Sequence, residues 1–147
     1  MPLTITDNET ATGNPIAINI SAGGIAFGGN NVLLYPYADS TSIAVGRAAL
    51  PAQNTNTLYN TAVGYEAADR TTSGSSNTAL GSSALFSNTN GADNTAIGAQ
   101  ALYNATVGSN DGFVVNAGQY ITTGNYNEAF GYGALEGISA TPHNRQQ

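Results

Sequence analysis

Glu66, Asp69 and Arg70 fall within five consecutive residues. Two carboxyls that close could cleave a glycosidic bond, one as acid and one as base or nucleophile. Asp93 and Asp111 form a second acidic pair, expected in turns about one coil apart. Aspartates in turns usually accept hydrogen bonds from their own backbone. The one histidine, His143, lies in a polar C-terminal stretch, and the chain has no cysteine and no lysine. A Ser-His-Asp relay would therefore have to form around that single imidazole, and no thiol can serve as nucleophile. Calcium needs a set of oxygen ligands. "GADN" and "SNDG" each occur once, so no repeated ligand set is present. "GGIAFGG" lacks the Lys and Ser/Thr of a phosphate-binding loop. These residues predict a protein without catalytic site, cofactor or metal.

The composition restricts partners further. Of 147 residues, 9 are acidic and 3 are basic, giving a net charge of -6. Arg47, Arg70 and Arg145 are scattered, whereas phosphate backbones call for clustered basic groups. Nucleic acid is not an expected partner. No stretch is long and apolar enough for a membrane-spanning helix, so no membrane partner is expected either. "MPLTITDNET" lacks the basic-then-apolar order of a secretory signal, which predicts assembly in the cytoplasm of the producing cell. Ala, Gly, Asn, Ser and Thr take the place of charged residues. Small side chains of this kind suit close stacking of backbone.

The elements that would hold any site are repeats. "SIAVGRAAL", "TAVGYEAA", "TALGSSAL", "TAIGAQAL" and "EAFGYGAL" carry one phrase, with glycines at 46, 64, 81, 98 and 131. "GIAFGG" is a weaker echo around Gly28. The steps are 17 or 18 residues, except the last, which is 33. "FVVNAGQY" fills that gap as a degenerate copy, with Asn116 expected where glycine would stand. A period this short cannot hold a pair of helices. It fits one coil of a β-solenoid, read as two short strands and two turns. "NTNTLYN", "DRTTSGSSN" and "SNTNGADN" supply the turns. Stacked coils would align Ala62, Ala79 and Ala96 in one ladder. Val63, Leu80, Ile97 and Phe130 would form a second, and Asn60, Asn77, Asn94 and Asn127 a third, with amides bonded along the axis. Gly46, Gly64, Gly81, Gly98 and Gly131 are then packing residues. Strand neighbours face opposite ways, so one apolar ladder must face outward. Closed association of copies would bury it, with a trimer preferred. Thr61, Thr78 and Thr95 would also share a face, as ice-binding solenoids require, but the second parallel Thr row is missing.

Residues 1–40 read differently. Ile16, Ile18 and Ile20 alternate as in a strand, and Tyr35, Pro36 and Tyr37 follow a more apolar run. They predict a small β segment that caps the solenoid or anchors it to a partner. The expected organisation is 1–40 as anchor, 41–136 as repeat β-roll and 137–147 as polar tail. Tyr59, Tyr65, Tyr103, Tyr120, Tyr126 and Tyr132 could form exposed rows that contact a glycan, or simply cover apolar edges with the hydroxyl in water.

The repeated phrase resembles the head repeats of trimeric autotransporter adhesins. It is still more similar to the N-T-A-[apolar]-G-x-x-A-L repeats of fibre and surface proteins of tailed bacteriophages. The resemblance spans about Ser40 to Leu135. It implies a left-handed parallel β-roll, homotrimeric and without cofactor. The period, the N-terminus and the lack of a stalk or β-barrel depart from the adhesins. The implied role is a structural protein of the virion, a capsid decoration protein or short fibre bound to the major capsid or tail protein. The alternative is a receptor-binding fibre that recognises a host surface glycan.

Overall fold

The computed structural model describes residues 25–27, 30–34, 41–52 and 59–135. Its eight strands form one sheet in chain order: β1 Ile25–Phe27, β2 Asn30–Leu34, β3 Ile43–Val45, β4 Thr61–Val63, β5 Thr78–Leu80, β6 Thr95–Ile97, β7 Asn110–Phe113 and β8 Asn127–Phe130. From β3 to β8 every pairing is parallel, and like positions face each other: Ala44↔Ala62, Ala62↔Ala79, Ala79↔Ala96, Ala96↔Gly112 and Gly112↔Ala129. The described residues are all-β, a solenoid in which each coil adds one rung.

Each coil carries one strand rather than two. The rest of the coil bends too sharply for a second. The residue two places after the phrase glycine is left-handed in Ala48, Glu66, Ser83, Gln100 and Asn116, with φ from 54 to 60°. The residue four places after it is left-handed in Leu50, Ala68, Leu85, Leu102 and Leu135. Alternating hands turn the chain while its amides still reach the neighbouring coils, as in Glu66 N to Arg47 O of the preceding coil at 3.0 Å and Leu85 N to Ala101 O of the next at 2.9 Å. Left-handed backbone is costly for L-residues, about 1–2 kcal/mol each. At Leu85 and Leu102 it is offset by complete burial of the side chain.

The degenerate copy needs a correction. Ile97 pairs with Phe113, so Val114, not Asn116, stands in the glycine position. Asn116 corresponds to Gln100, and both are left-handed. The preceding coil is one residue shorter than its neighbour. Three other turns read Gly-x-x-Asn (Gly74–Asn77, Gly91–Asn94, Gly124–Asn127), whereas Gly108–Ser109–Asn110 has lost one residue between them. The deletion falls in a turn, so the buried positions keep their phase.

The interior is narrow. Ala44, Ala62, Ala79, Ala96 and Ala129 are fully buried, with Ala49, Ala67, Ala84, Ala101 and Ala117 behind them. Beside the alanines runs a buried column of Asn60, Asn77, Asn94, Asn110 and Asn127. Asn77 donates its backbone N–H to Asn60 Oδ1 at 2.8 Å and its side-chain amide to Gly91 O at 2.9 Å. Asn94 repeats this on Asn77 Oδ1 and Gly108 O. The glycines therefore offer the carbonyls that the asparagines need. The same residues could not carry side chains: a Cβ on Gly74 or Gly108 would overlap the carbonyl oxygen of the next glycine in the column.

At the N-terminal end, β1 and β2 pair antiparallel, and β2 lies antiparallel on β3 through Leu33↔Val45 and Leu34↔Ala44. A β element thus covers the first rung. Ile16, Ile18, Ile20, Tyr35, Pro36 and Tyr37 lie outside the described residues, as does the stretch 136–147.

Candidate functional site

Strands β3 to β8 send alternate side chains inward and outward. The inward position is Ala or Gly. The outward positions make two parallel columns. One is Val45, Val63, Leu80, Ile97, Phe113 and Phe130, and the other is Ile43, Thr61, Thr78, Thr95, Asp111 and Glu128. The apolar column is partly or well exposed, reaching 44% at Leu80 and 61% at Phe130. Phe113 and Phe130 stack with ring centroids 4.6 Å apart, a direct result of in-register pairing. Successive rungs are about 4.8 Å apart, so six rungs give an apolar stripe roughly 24 Å long. Val63, Leu80, Ile97 and Phe130 thus align as expected, and Phe113 joins them.

The glycines behave differently from these side chains. Gly46, Gly64, Gly81 and Gly98 pack against the next coil of the same chain: a Cβ on Gly64 would lie 2.5 Å from Gly81 O, and one on Gly46 2.6 Å from Gly64 O. Only Gly131 has open space around that position among the described residues. Glycine and alanine therefore build the solenoid itself, and the outward apolar column is what it presents.

The acidic candidates resolve into local pairings. Burial, then the neighbouring Glu66, hold the Asp69 carboxyl above its usual range, partly offset by Arg70. The guanidinium of Arg70 lies over the Phe86 ring at 4.9 Å, and Phe86 stacks on Tyr103 at 4.9 Å. Arg47 lies over Tyr65 at 4.7 Å, and a side-chain hydrogen bond to Glu66 raises the Tyr65 hydroxyl. These contacts set a cation on an aromatic face and a carboxylate on a phenol. Asp93 is in a turn, while Asp111 is in β7, not in a turn, and occupies the threonine column. The Thr61, Thr78 and Thr95 row accordingly ends in Asp111 and Glu128, which breaks a regular hydroxyl face. Among the described residues no group of three or more His, Asp or Glu side chains could hold a metal ion. His143 lies outside them.

Tyr59, Tyr126 and Tyr132 are well exposed, at 63%, 76% and 77%. Tyr126 and Tyr132 stand on either side of Phe130 in the sequence of the last described coil, and all three are exposed. Two features escape the phrase alignment: the place of Asn110 in the asparagine column and the second glycine column at 74, 91, 108 and 124. The signal for both was a glycine two or three residues ahead of the asparagine that precedes or opens each strand. Comparison with protein-family models, curated proteins and solved structures finds no match.

Proposed function

We propose that this chain is a non-enzymatic structural protein of a tailed-bacteriophage virion, a homotrimeric capsid decoration protein or short fibre. The observation that carries the reading is the outward column from Val45 to Phe130. It is a straight apolar stripe on a solenoid whose own interior holds little beyond Ala, Asn and Leu. Three copies set around one axis would bury the three stripes together, as closed cyclic symmetry allows. The partner on the particle would be the major capsid or tail protein, gripped by strand addition from the N-terminal anchor. The virion is then the protein's location, reached by assembly in the host cytoplasm.

The resemblance of the N-T-A-[apolar]-G-x-x-A-L phrase supplies the viral part of this reading. Cryo-electron microscopy of particles carrying a tagged copy tests it. Density for the tag at regular capsid or tail positions supports the role, and its absence from purified particles refutes it. A second reading, recognition of a host surface glycan, is favoured by the exposure of Tyr126, Phe130 and Tyr132 in the last described coil. A glycan array that loses its signals on Tyr132→Ala would support it, and an array without signals would dismiss it.

A further inference from the structure

Asn90–Gly91 is the one asparagine-glycine pair in the sequence. Such pairs are chemically fragile, because glycine has no side chain to hinder its own amide nitrogen from reaching the preceding residue. That nitrogen attacks the asparagine Cγ and closes a five-membered succinimide. The side-chain nitrogen leaves as ammonia and takes up the glycine N–H proton. Water then opens the ring at either carbonyl, leaving aspartate or isoaspartate. In this fold the two reacting groups are held apart. The Asn90 side chain is exposed, and its Oδ1 accepts from Ser73 Oγ of the preceding coil at 3.0 Å. Gly91 is buried, and its N–H donates inward to Asn88 Oδ1 at 2.8 Å. Asn88 is buried too and returns its own amide to Gly91 O at 3.0 Å. One side chain thus clamps the glycine on both of its polar atoms, as asparagines do in tight turns.

We propose that Asn90–Gly91 is a deamidation site guarded by Asn88, open to modification only when the Asn88 clamp opens. Guard and target occur together in one coil. The residues before the column glycines 74, 91, 108 and 124 are Ser73, Asn90, Val107 and Thr123, so one coil alone carries the fragile pair. Three places before the same glycines stand Thr71, Asn88, Ala105 and Ile121, all buried. Asn88 is the member of that column that bonds its glycine, whereas Thr71 Oγ1 has no partner among the described residues. The glycine itself is fixed by packing: a Cβ on Gly91 would lie 2.4 Å from Asn88 Oδ1 and 2.8 Å from Gly108 O. Reaction at this turn would harm the column beside it. Isoaspartate inserts a methylene into the backbone between Asn90 N, which bonds Thr106 O, and Gly91 O, which accepts from the Asn77 amide at 2.9 Å. This proposal does not depend on the virion reading.

Peptide mapping by mass spectrometry on the full chain, aged in mildly alkaline buffer, tests it. Conversion of amide to acid at position 90 is expected to be about a hundredfold slower in the folded chain than in the same chain unfolded by urea. Equal rates overturn the proposal. In the folded parent, conversion and Gly91 amide exchange are expected to rise together as urea is added below the unfolding transition, ahead of the Leu102 amide, which is bonded to Ala117 O in another coil. Conversion that instead follows Leu102 exchange means that global unfolding exposes the site, and that overturns the guard. Folded Asn88→Ala is expected to convert about tenfold or more faster than the parent, with Gly91 exchange faster and Leu102 exchange unchanged. A rate equal to the parent's, or a matching rise in Leu102 exchange, also overturns it.

Discussion

At Gly98 a methyl group would sit 2.5 Å from the carbonyl carbon of Val114, a backbone atom with nowhere to move. The φ of 131° adds a second objection to any L side chain. Gly98→Ala is therefore expected to cost about 3 kcal/mol or more in urea unfolding, by overpacking together with backbone strain. Ala48 poses the reverse case. It is left-handed at φ 57°, and in the last coil Gly133 already fills the same place at φ 63°. Ala48→Gly relieves a left-handed L-residue and adds unfolded-state entropy, leaving a gain of roughly 0.5 kcal/mol. A loss of stability would show that the left-handed alanines are not strained. Asp69 gives a pH test. Its folded carboxyl titrates above its unfolded value of 3.8 because burial and Glu66 disfavour the charge. A raised carboxyl helps the fold when protonated, and that help is lost as pH rises through 3.8 toward the folded value. Asp69→Asn should thus melt higher than the parent at pH 7, and the advantage should shrink to nothing at pH 3. An equal difference at both pH values would assign the effect to something other than charge.

The coil is where small residues become a structure. Asn77 and Asn94 each close three bonds that no shorter side chain can make: the Oδ1 accepts from the next coil, and the amide donates to the previous asparagine and to a glycine carbonyl. Asn77→Ala leaves Asn94 N without its acceptor in a buried column and removes one of two donors from Gly91 O and from Asn60 Oδ1, which keep the Asn88 amide and the Asn77 N–H. Leaving buried polar groups unpaired costs about 1–3 kcal/mol each, with partial relief by relaxation. A loss of about 2–4 kcal/mol in the urea midpoint analysis is expected, against under about 1 kcal/mol for exposed Asn90→Ala. Equal effects would remove the column from the account of stability. This level was also the most legible in sequence, because a solenoid repeats its chemistry at fixed intervals. The Ala, apolar and Asn ladders follow from one aligned phrase. The single-strand coil did not follow, since left-handed Leu85, Leu102 and Glu66 carry no local mark of their backbone hand. Val114 was hidden for a related reason. A deletion in the Gly108–Asn110 turn displaced the phrase, and a β-branched residue stood where glycine was sought. The carboxylate cluster was visible as spacing, but its pairing with Tyr65, Arg47 and Phe86 depends on which coils stack.

For the whole molecule the deciding quantity is how much apolar surface one chain can hide. A coil of 16 to 18 residues that encloses mostly alanine has little room for a hydrophobic core, and short chains are marginal for that reason. The stripe from Val45 to Phe130 remains on the outside of one chain, and the proposed trimer would draw its remaining stabilisation from burying it. The parent is expected to sediment at three times the chain mass of 14.9 kDa. Ile97 lies mid-stripe and points outward from β6, so a carboxylate there is tolerated in a lone chain but is buried three times over at a shared axis. Ile97→Asp should accordingly give monomers, or a chain that unfolds at lower urea with a midpoint that no longer rises with protein concentration. Ser82→Asp, on an exposed turn, should keep the parent's mass. A parent that sediments as a monomer would remove the trimer, and with it the reason for a straight apolar stripe. A trimer unaffected by Ile97→Asp would place the interface on another face of the solenoid.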